Sequence, residues 1–381
     1  MDSILAFSFS KAATGQRLTT DRGQRNILIH KMGNVSITID GSKLSGREGM
    51  TILEVARGNG IYIPTLCYSP QLTPIGACRV CVVEVEGSST LAASCHTPIV
   101  QGMVIYTHSP QVVEARRTIV ELLLASHPDN CLVCDKANIC ELRKIAADLE
   151  VGLPRFRNKR HYYPIDDSNP FIERDLTKCI LCGKCIRACQ ELSVVGAIDY
   201  AYRGFQSKPA TLFDQPLKES SCESCGLCVS MCPVGALSDT SIKYKGQTTR
   251  KIRTVCPYCG CGCGIYLNVR DQEVISVTPD QDNPVNQERL CVKGRYGFSF
   301  INSPERLKAP LIRKNGELTE SSWEEALDLV AQKLNEIKQK YGSDSLAGLS
   351  SSKCTNEENY LMQKFMRVVI GTNNIDNCAR L

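Results

Sequence analysis

Cysteine spacing constrains this chain more than any other feature. Of 22 cysteines in 381 residues, 19 fall, together with one histidine, into a few tight groups rich in Cys-x-x-Cys pairs. Secreted scaffolds with many disulfides are usually small and carry a signal segment. Here residues 1–31 hold a short apolar patch and then Lys11, Arg17, Arg22, Arg25 and Lys31. No small-residue cleavage site follows an apolar core, and there is no twin-arginine pair. We therefore expect a cytoplasmic chain whose cysteines bind metal. A net charge of +5 is small at this length and argues against a dedicated nucleic-acid binder. No apolar run approaches the roughly 18 residues needed to span a bilayer.

The sequence divides into several units. Val35 to Asp40 alternates apolar and polar residues as a half-buried strand does, and Asp40-Gly41 makes a hairpin turn. Thr51 to Arg57 reads as a short helix. Met32 opens this ordered stretch and is expected to be the true start, with residues 1–31 an extension from a misplaced one. Gln111 to Ser126 and Ala137 to Leu149 follow helix patterns, residues 153–170 and 241–251 have linker character, and residues 171–240 are loop-rich. Further on, Ser322-x-x-Glu325 and Thr355-x-x-Glu358 are capping boxes, the second opening a helix that Gly371 ends. Trp323, Ala326, Leu327, Val330 and Leu334 recur at helical spacing, and Leu346 to Leu349 reads as a buried strand. That order predicts an α/β layer with parallel strands.

The first cysteine group is Cys67-x10-Cys78-x2-Cys81-x13-Cys95. A [2Fe–2S] cluster needs four thiolates converging from a loop and a later strand, and small residues at Gly76 and Ala77 let a loop wrap it closely. The gaps of ten and thirteen are unusual for zinc, the competing metal. His96, beside Cys95, is taken as a bystander. The second group is His127-x3-Cys131-x2-Cys134-x5-Cys140. A neutral imidazole in place of one thiolate makes a [4Fe–4S] cluster less negative. Zinc in a Cys3His site is the alternative here.

The third group is a doubled run. Cys179-x2-Cys182-x2-Cys185-x3-Cys189 is followed by Cys222-x2-Cys225-x2-Cys228-x3-Cys232-Pro233. This is the bacterial two-cluster ferredoxin pattern, in which the fourth cysteine of each run ligates the other cluster. Cys179, Cys182, Cys185 and Cys232 are thus assigned to one [4Fe–4S] cluster, and Cys222, Cys225, Cys228 and Cys189 to the other. The first run has Gln190 where the second has a trailing proline. The fourth group is Cys256-x2-Cys259-x3-Cys263-x27-Cys291, followed by Val292-Lys293-Gly294-Arg295. Spacing favours Cys263 over Cys261 as the ligand. Cys354 and Cys378 belong to no group and read as small core residues.

The first group resembles the N-terminal domain of the large iron–sulfur subunit of complex I, and the second follows it there in the same order. The fourth resembles the [4Fe–4S] domain that opens the catalytic part of molybdopterin oxidoreductases. Lys293 matches the lysine that lies between cluster and pterin in that family. Iron-only hydrogenases share the first three groups, but Cys256-Pro257-Tyr258-Cys259 stands where their hydrogen-activating domain would follow. All four groups in this order resemble the catalytic subunit of cytoplasmic NAD(P)-linked or hydrogenase-linked formate dehydrogenases, over residues 32–381.

That resemblance implies a multidomain α+β chain. A β-grasp [2Fe–2S] domain is expected at 32–110, a helical His(Cys)3 domain at 111–152 and a two-cluster ferredoxin domain at 170–240. A [4Fe–4S] domain of the molybdenum or tungsten bis-pterin type is expected at 249–306, and the start of an α/β molybdopterin oxidoreductase domain at 307–381. It also implies one [2Fe–2S] and four [4Fe–4S] clusters, with molybdenum or tungsten bis-molybdopterin guanine dinucleotide in the full-length protein only. In the family the segment like Gly371 to Leu381 leads into a metal-ligating selenocysteine or cysteine, so the chain is expected to be cut at a selenocysteine codon. The resemblance places electrons from formate on a path past Lys293 to the Cys256 group, the ferredoxin pair and then the His127 and Cys67 groups. The partner implied is a flavin- and NAD(P)-binding diaphorase-type subunit or a hydrogenase- or ferredoxin-type subunit. The 381-residue chain alone is expected not to turn over formate. A complete stand-alone electron-transfer subunit serving a separate catalytic chain is the competing reading.

Overall fold

The computed structural model describes residues 33–156 and 160–378, so the expected extension at 1–31 lies outside the described residues. Strands β1 (Asn34–Ile39) and β2 (Ser42–Arg47) form the expected hairpin. Its turn residues Asp40 and Gly41 have φ of 46° and 81°, the left-handed pair a two-residue turn needs. Helix α1 (Ile52–Gly58) starts at Thr51, which makes a full capping box with Glu54. Strands β3 (Val82–Val85), β4 (Ala92–Ala93) and β5 (Val104–Tyr106) complete a sheet of order β2-β1-β5-β3-β4, with β1 and β5 parallel. Ile52, Leu53, Val55 and Ala56 of α1 pack on Ile37, Ile39 and Ile105, and Cys81 and Cys95 lie in that same core.

Helix α2 (Pro110–Ser126) matches its expected span, with Ser109 as N-cap and Pro110 in the first turn. The helix expected from Ala137 begins later. Ala137–Ile139 is a single 3-10 turn, Cys140 is extended at φ −74° and ψ 116°, and α3 (Glu141–Asp148) follows. An extended residue at that point breaks the i to i−4 ladder and makes Cys140 the N-cap. Leu142, Ile145 and Ala146 of α3 pack with Val120, Leu66, Val80, Val234 and Ala236, so one core joins the first three cysteine groups.

Strand β6 (Ile172–Arg174) pairs antiparallel with β9 (Leu237–Asp239) and closes the third group at its two ends. Between them lie α4 (Lys184–Arg187), the hairpin of β7 (Asp199–Ala201) and β8 (Lys208–Ala210), and α5 (Leu227–Met231). Strands β10 (Arg250–Val255), β11 (Gly264–Arg270) and β12 (Glu273–Pro279) form an antiparallel sheet, and α6 (Val292–Tyr296) follows Cys291.

A hairpin of β13 (Leu311–Lys314) and β14 (Glu317–Glu320) leads to α7 (Trp323–Tyr341). Then come β15 (Gly348–Ser350), α8 (Asn356–Lys364) and β16 (Ile375–Asn377). β15 and β16 pair in parallel: the helix and strand order predicts a parallel layer, but the partner strand at Ile375–Asn377 is not among the expected elements. The strand is not the buried Leu346 to Leu349 expected: it starts at Gly348, and Leu349 is 79% exposed. The apolar stripe of α7 is likewise exposed at Trp323, Leu327 and Val330. A two-stranded sheet is too small to cover both elements, and no other described residues bury them. Among the described residues no helix is long and apolar enough to cross a membrane.

Candidate metal centres

All 22 cysteines are free thiols in this structure. The first four are drawn together at the rim of the first sheet. Gly76 and Arg79 have φ of 60° and 58°, which curls the loop so that the Cys78 amide points at the Cys67 sulfur, 3.5 Å away. Hydrogen bonds from the Cys78 and Cys95 thiols hold the Cys67 thiol far below its usual range. A bond from Cys95 brings Cys81 down to about 6. Cys78 and Cys95 themselves are pushed up by giving those bonds and by burial. Four sulfurs thus share one hydrogen-bonded set, three of them on buried residues.

In the second group, His127 caps the end of α2. Burial, then the charges of Lys178 and Arg160, lower its imidazole to about 4, so the ring is neutral. Its Nδ1 is buried with no hydrogen-bond partner. A neutral ring with an orphaned nitrogen suits a metal ligand. Cys131, Cys134 and Cys140 follow on two 3-10 turns, and burial pushes the Cys140 thiol up, with Cys134 and Cys131 adding to it. Lys136, between two of these cysteines, donates to the carbonyls of Val229 at 2.7 Å and Cys232 at 3.4 Å.

The doubled run folds as a near-repeat. Leu181 and Ser224 have φ of 54° and 55°, and Gly183 and Gly226 have φ of 67° and 71°. The Leu181 amide donates to Cys179 Sγ and the Ser224 amide to Cys222 Sγ, both at 3.4 Å. Each run's glycine also faces a tyrosine. A Cβ on Gly183 would stand 2.6 Å from the Tyr200 hydroxyl, and one on Gly226 would stand 2.4 Å from that of Tyr296.

Two apolar hollows result. One is lined by Cys179, Cys182, Cys185 and Cys232, with Ile180 and Val234 among its walls. The other is lined by Cys189, Cys222, Cys225 and Cys228, with Ile172 and Leu217. The fourth cysteine of each run stands in the other run's hollow. Burial pushes Cys179 up to about 12 and Cys182 to about 11, and raises Cys185 and Cys228 as well. Thiols buried in a dry hollow as Cys179, Cys182, Cys185 and Cys228 are resist ionisation until a cation compensates them, and that is the chemistry an iron–sulfide cage supplies.

In the fourth group, Cys256 is buried on the β11 and β12 core, and its amide donates to the Cys263 carbonyl at 2.9 Å. Burial raises Cys263 to about 11, and Cys256 is raised as well, with Cys259 and Cys291 adding to both. Cys291 is the N-cap residue of α6 and Lys293 lies exposed on its first turn. Cys261 is exposed, and its thiol hydrogen-bonds with Cys259. Sequence spacing alone did not reveal that contact. Cys354 and Cys378 are not core residues: Cys378 is exposed and held down to about 7 by bonds from Ser351 and Ser352. Cys354 is half-buried, and Asn356, two residues on, donates to the Gly260 carbonyl at 2.7 Å.

Among the described residues, no three Cys, His, Asp or Glu side chains gather around a single-ion site. The ligands of a [4Fe–4S] cage each take a different iron, and those of a [2Fe–2S] cage divide two and two between its irons, so in neither case do all four converge on one point.

Family models match in the order of these groups. A 2Fe-2S iron-sulfur cluster binding domain matches residues 33–110, and the NADH-ubiquinone oxidoreductase-G iron-sulfur binding region matches 116–155. A 4Fe-4S dicluster domain matches 178–236, the Fe4S4 domain of molybdopterin oxidoreductases 249–303 and the molybdopterin oxidoreductase model 306–381. The chain is 39% identical to a G-type subunit of the NADH-quinone oxidoreductase of Rhizobium meliloti, covering 91% of this chain and 40% of that protein. It is 35% identical to "Putative formate dehydrogenase SA2102" of Staphylococcus aureus, covering 90% of this chain and 39% of that protein. The chain therefore spans about two fifths of the length of these curated relatives. Among solved structures it resembles a chain in the crystal structure of NAD+-reducing [NiFe]-hydrogenase in the H2-reduced state. The identity is 30% and the TM-score 0.53, covering 57% of this chain and 92% of that one.

Proposed function

We propose that this chain, a member of the iron–sulfur oxidoreductase family that includes the G-type subunits of NADH-quinone oxidoreductase and formate dehydrogenase-like proteins, relays single electrons across five clusters. Bound iron–sulfide cages supply reversible one-electron chemistry. The chain's own part is to grip them, keep water off them and fix their spacing. Cys67, Cys78, Cys81 and Cys95 hold a [2Fe–2S] cage, and His127, Cys131, Cys134 and Cys140 a [4Fe–4S] cage. The two apolar hollows hold two more, and Cys256, Cys259, Cys263 and Cys291 hold the fifth.

The observation that carries this reading is the exchange of Cys189 and Cys232 between the hollows. Two separate zinc knuckles would each keep their own fourth ligand. Amides aimed at Cys179 and Cys222 favour thiolate over thiol and raise cluster potential.

At its finer level the proposal is that the relay serves formate and carbon dioxide interconversion in a cytoplasmic assembly with an NAD(P)-linked or hydrogenase-type partner. Lys293 would stand between the Cys256 cage and a molybdenum or tungsten bis-pterin site. The molybdopterin oxidoreductase match at 306–381, the similarity to a protein named as a formate dehydrogenase and the similarity to a chain of an NAD+-reducing hydrogenase support it. Electron paramagnetic resonance of the dithionite-reduced chain tests the relay. One [2Fe–2S] signal and several faster-relaxing [4Fe–4S] signals are expected, and an EPR-silent reduced protein would refute it.

A further inference from the structure

Five cationic side chains are buried among the described residues: Arg116, Arg174, Lys184, Arg187 and Arg295. Two have carboxylate partners. Arg174 pairs with Asp166 at 2.8 Å and Lys184 with Glu141 at 3.3 Å. The other three make no ion pair among the described residues. All three point at backbone carbonyls in or beside the cysteine groups instead. Arg116, 2% exposed, donates through Nε and Nη2 to the carbonyl of Val82, next to Cys81. Arg187, 6% exposed, donates to the carbonyls of Cys67 at 2.5 Å, Thr73 at 2.6 Å and Cys182 at 3.5 Å. Arg295, 5% exposed, donates through Nε to the Cys225 carbonyl at 3.0 Å.

A guanidinium does not deprotonate in proteins, so burial leaves its charge in place. An unpaired buried charge is strongly destabilising, and carbonyl dipoles compensate it only in part. Arg187 Nε and Arg295 Nη2 are in addition buried without any hydrogen-bond partner. The anion that would balance each of these three arginines is not a carboxylate. The negative groups their positions share are the thiolate sets of the cysteine groups. Two of the three also stand between sets. Arg187 sits on α4 between Cys185 and Cys189 and reaches the Cys67 loop. Arg295 sits four residues after Cys291 and reaches the Cys225 loop. Gly226 leaves room for it, since a Cβ there would meet Arg295 Cδ at 2.5 Å.

We propose that Arg116, Arg187 and Arg295 are the built-in counter-ions of the iron–sulfur cages, and that Arg187 and Arg295 are positioning residues at two junctions between cages. Arg187 joins the Cys67 set to the Cys179 set, and Arg295 joins the Cys222 set to the Cys256 set. Each holds the two ligand loops together by hydrogen bonds. Each also contributes a positive charge that favours an added electron on either side.

This inference rests on the iron–sulfur reading, and its test separates the two. The full chain and its Arg187→Gln, Arg187→Lys, Arg295→Gln and Arg295→Lys variants are purified anaerobically and assayed for iron. Each is then titrated potentiometrically, with the cluster signals followed by electron paramagnetic resonance. Arg187→Gln is expected to move the [2Fe–2S] midpoint to more negative potential and leave the Cys256 cluster where it was. Arg295→Gln is expected to do the reverse. The lysine variants keep the charge and are expected to titrate near wild type. A glutamine variant with full iron and an unmoved midpoint overturns the inference while leaving the iron–sulfur reading intact. If a glutamine variant takes up no iron, its lysine counterpart decides: retained iron and midpoint support the counter-ion role, and an equal loss overturns it. A wild-type chain without iron defeats the underlying reading instead.

Discussion

The rings of Phe171 and Tyr296 stack with centroids 4.4 Å apart and planes 9° from parallel. Phe171 precedes β6 and Tyr296 ends α6, so the stack fastens the doubled ferredoxin-type run to the helix that follows Cys291 and carries Lys293. The Tyr296 hydroxyl is buried without a partner, and burial pushes its pKa well up. Removing that hydroxyl while keeping the ring should therefore not destabilise. We expect Tyr296→Phe to be neutral or to gain about 1 kcal/mol, because an unsatisfied polar group is lost. Tyr296→Ala should lose about 3 kcal/mol or more through the cavity it leaves. Urea unfolding of the two variants checks the contrast. Equal losses would mean that the hydroxyl, not the ring, does the fastening.

Gly226 tests the same junction from the other side. Its φ is 71°, and the Tyr296 hydroxyl lies 2.4 Å from the point a Cβ would occupy, which leaves no space for alanine. Gly226→Ala should cost about 1–3 kcal/mol from left-handed strain and overpacking together. Gly262 also has positive φ, at 69°, but nothing lies within 4 Å of its Cβ position. Gly262→Ala should accordingly cost less in the same unfolding assay, and a reversed order would refute the close approach.

The pairing of cysteines across the doubled run makes a prediction about iron counts. Cys232→Ser should remove one cluster, or about 4 irons. Adding Cys182→Ser should remove no more, because both residues line one hollow. Adding Cys225→Ser instead should bring the loss to about 8 irons, because Cys225 lines the other hollow. Iron analysis after anaerobic reconstitution distinguishes these outcomes. Reversed additivity would show that each run keeps its own fourth ligand.

His127 ties the metal-free chain's stability to pH. Burial depresses its folded-state pKa to about 4, against about 6.5 when unfolded. Between those values the unfolded chain binds the extra proton, so this contribution is fully present above about pH 6.5 and is lost as pH falls toward 4. The apo chain should therefore lose stability to urea across that window, and His127→Gln should flatten the slope. With metal present the same substitution should lower iron by about 4 per chain. An unchanged iron content would remove His127 from the ligand set.

The cysteine groups were legible in the sequence because most of their gaps are two to five residues, and the longer gaps before Cys78, Cys95 and Cys291 were legible only through the resemblance. The hairpin at Asp40-Gly41, the short helix after Thr51 and α2 were legible because turn residues and helical spacing are local signals, whereas the strand Ile375–Asn377 that pairs with β15 carries no such signal. What was not legible depends on distant parts of the fold. The late start of α3 follows from Cys140 adopting an extended conformation, which helix periodicity does not report. Leu349 and the α7 stripe look like core residues, yet sequence cannot say whether the surface that would cover them lies within these 381 residues. The bonds from Arg187 to Cys67 and from Arg295 to Cys225 span 120 and 70 residues, and nothing in the local sequence marks either arginine as buried.

The central claim is that these thiols and one imidazole grip five inorganic cages, and metal analysis of the anaerobically purified chain tests it most directly. The account predicts a brown protein with about 18 irons per chain and acid-labile sulfide to match. A colourless protein containing zinc in place of iron, or with its cysteines oxidised to disulfides, would contradict it.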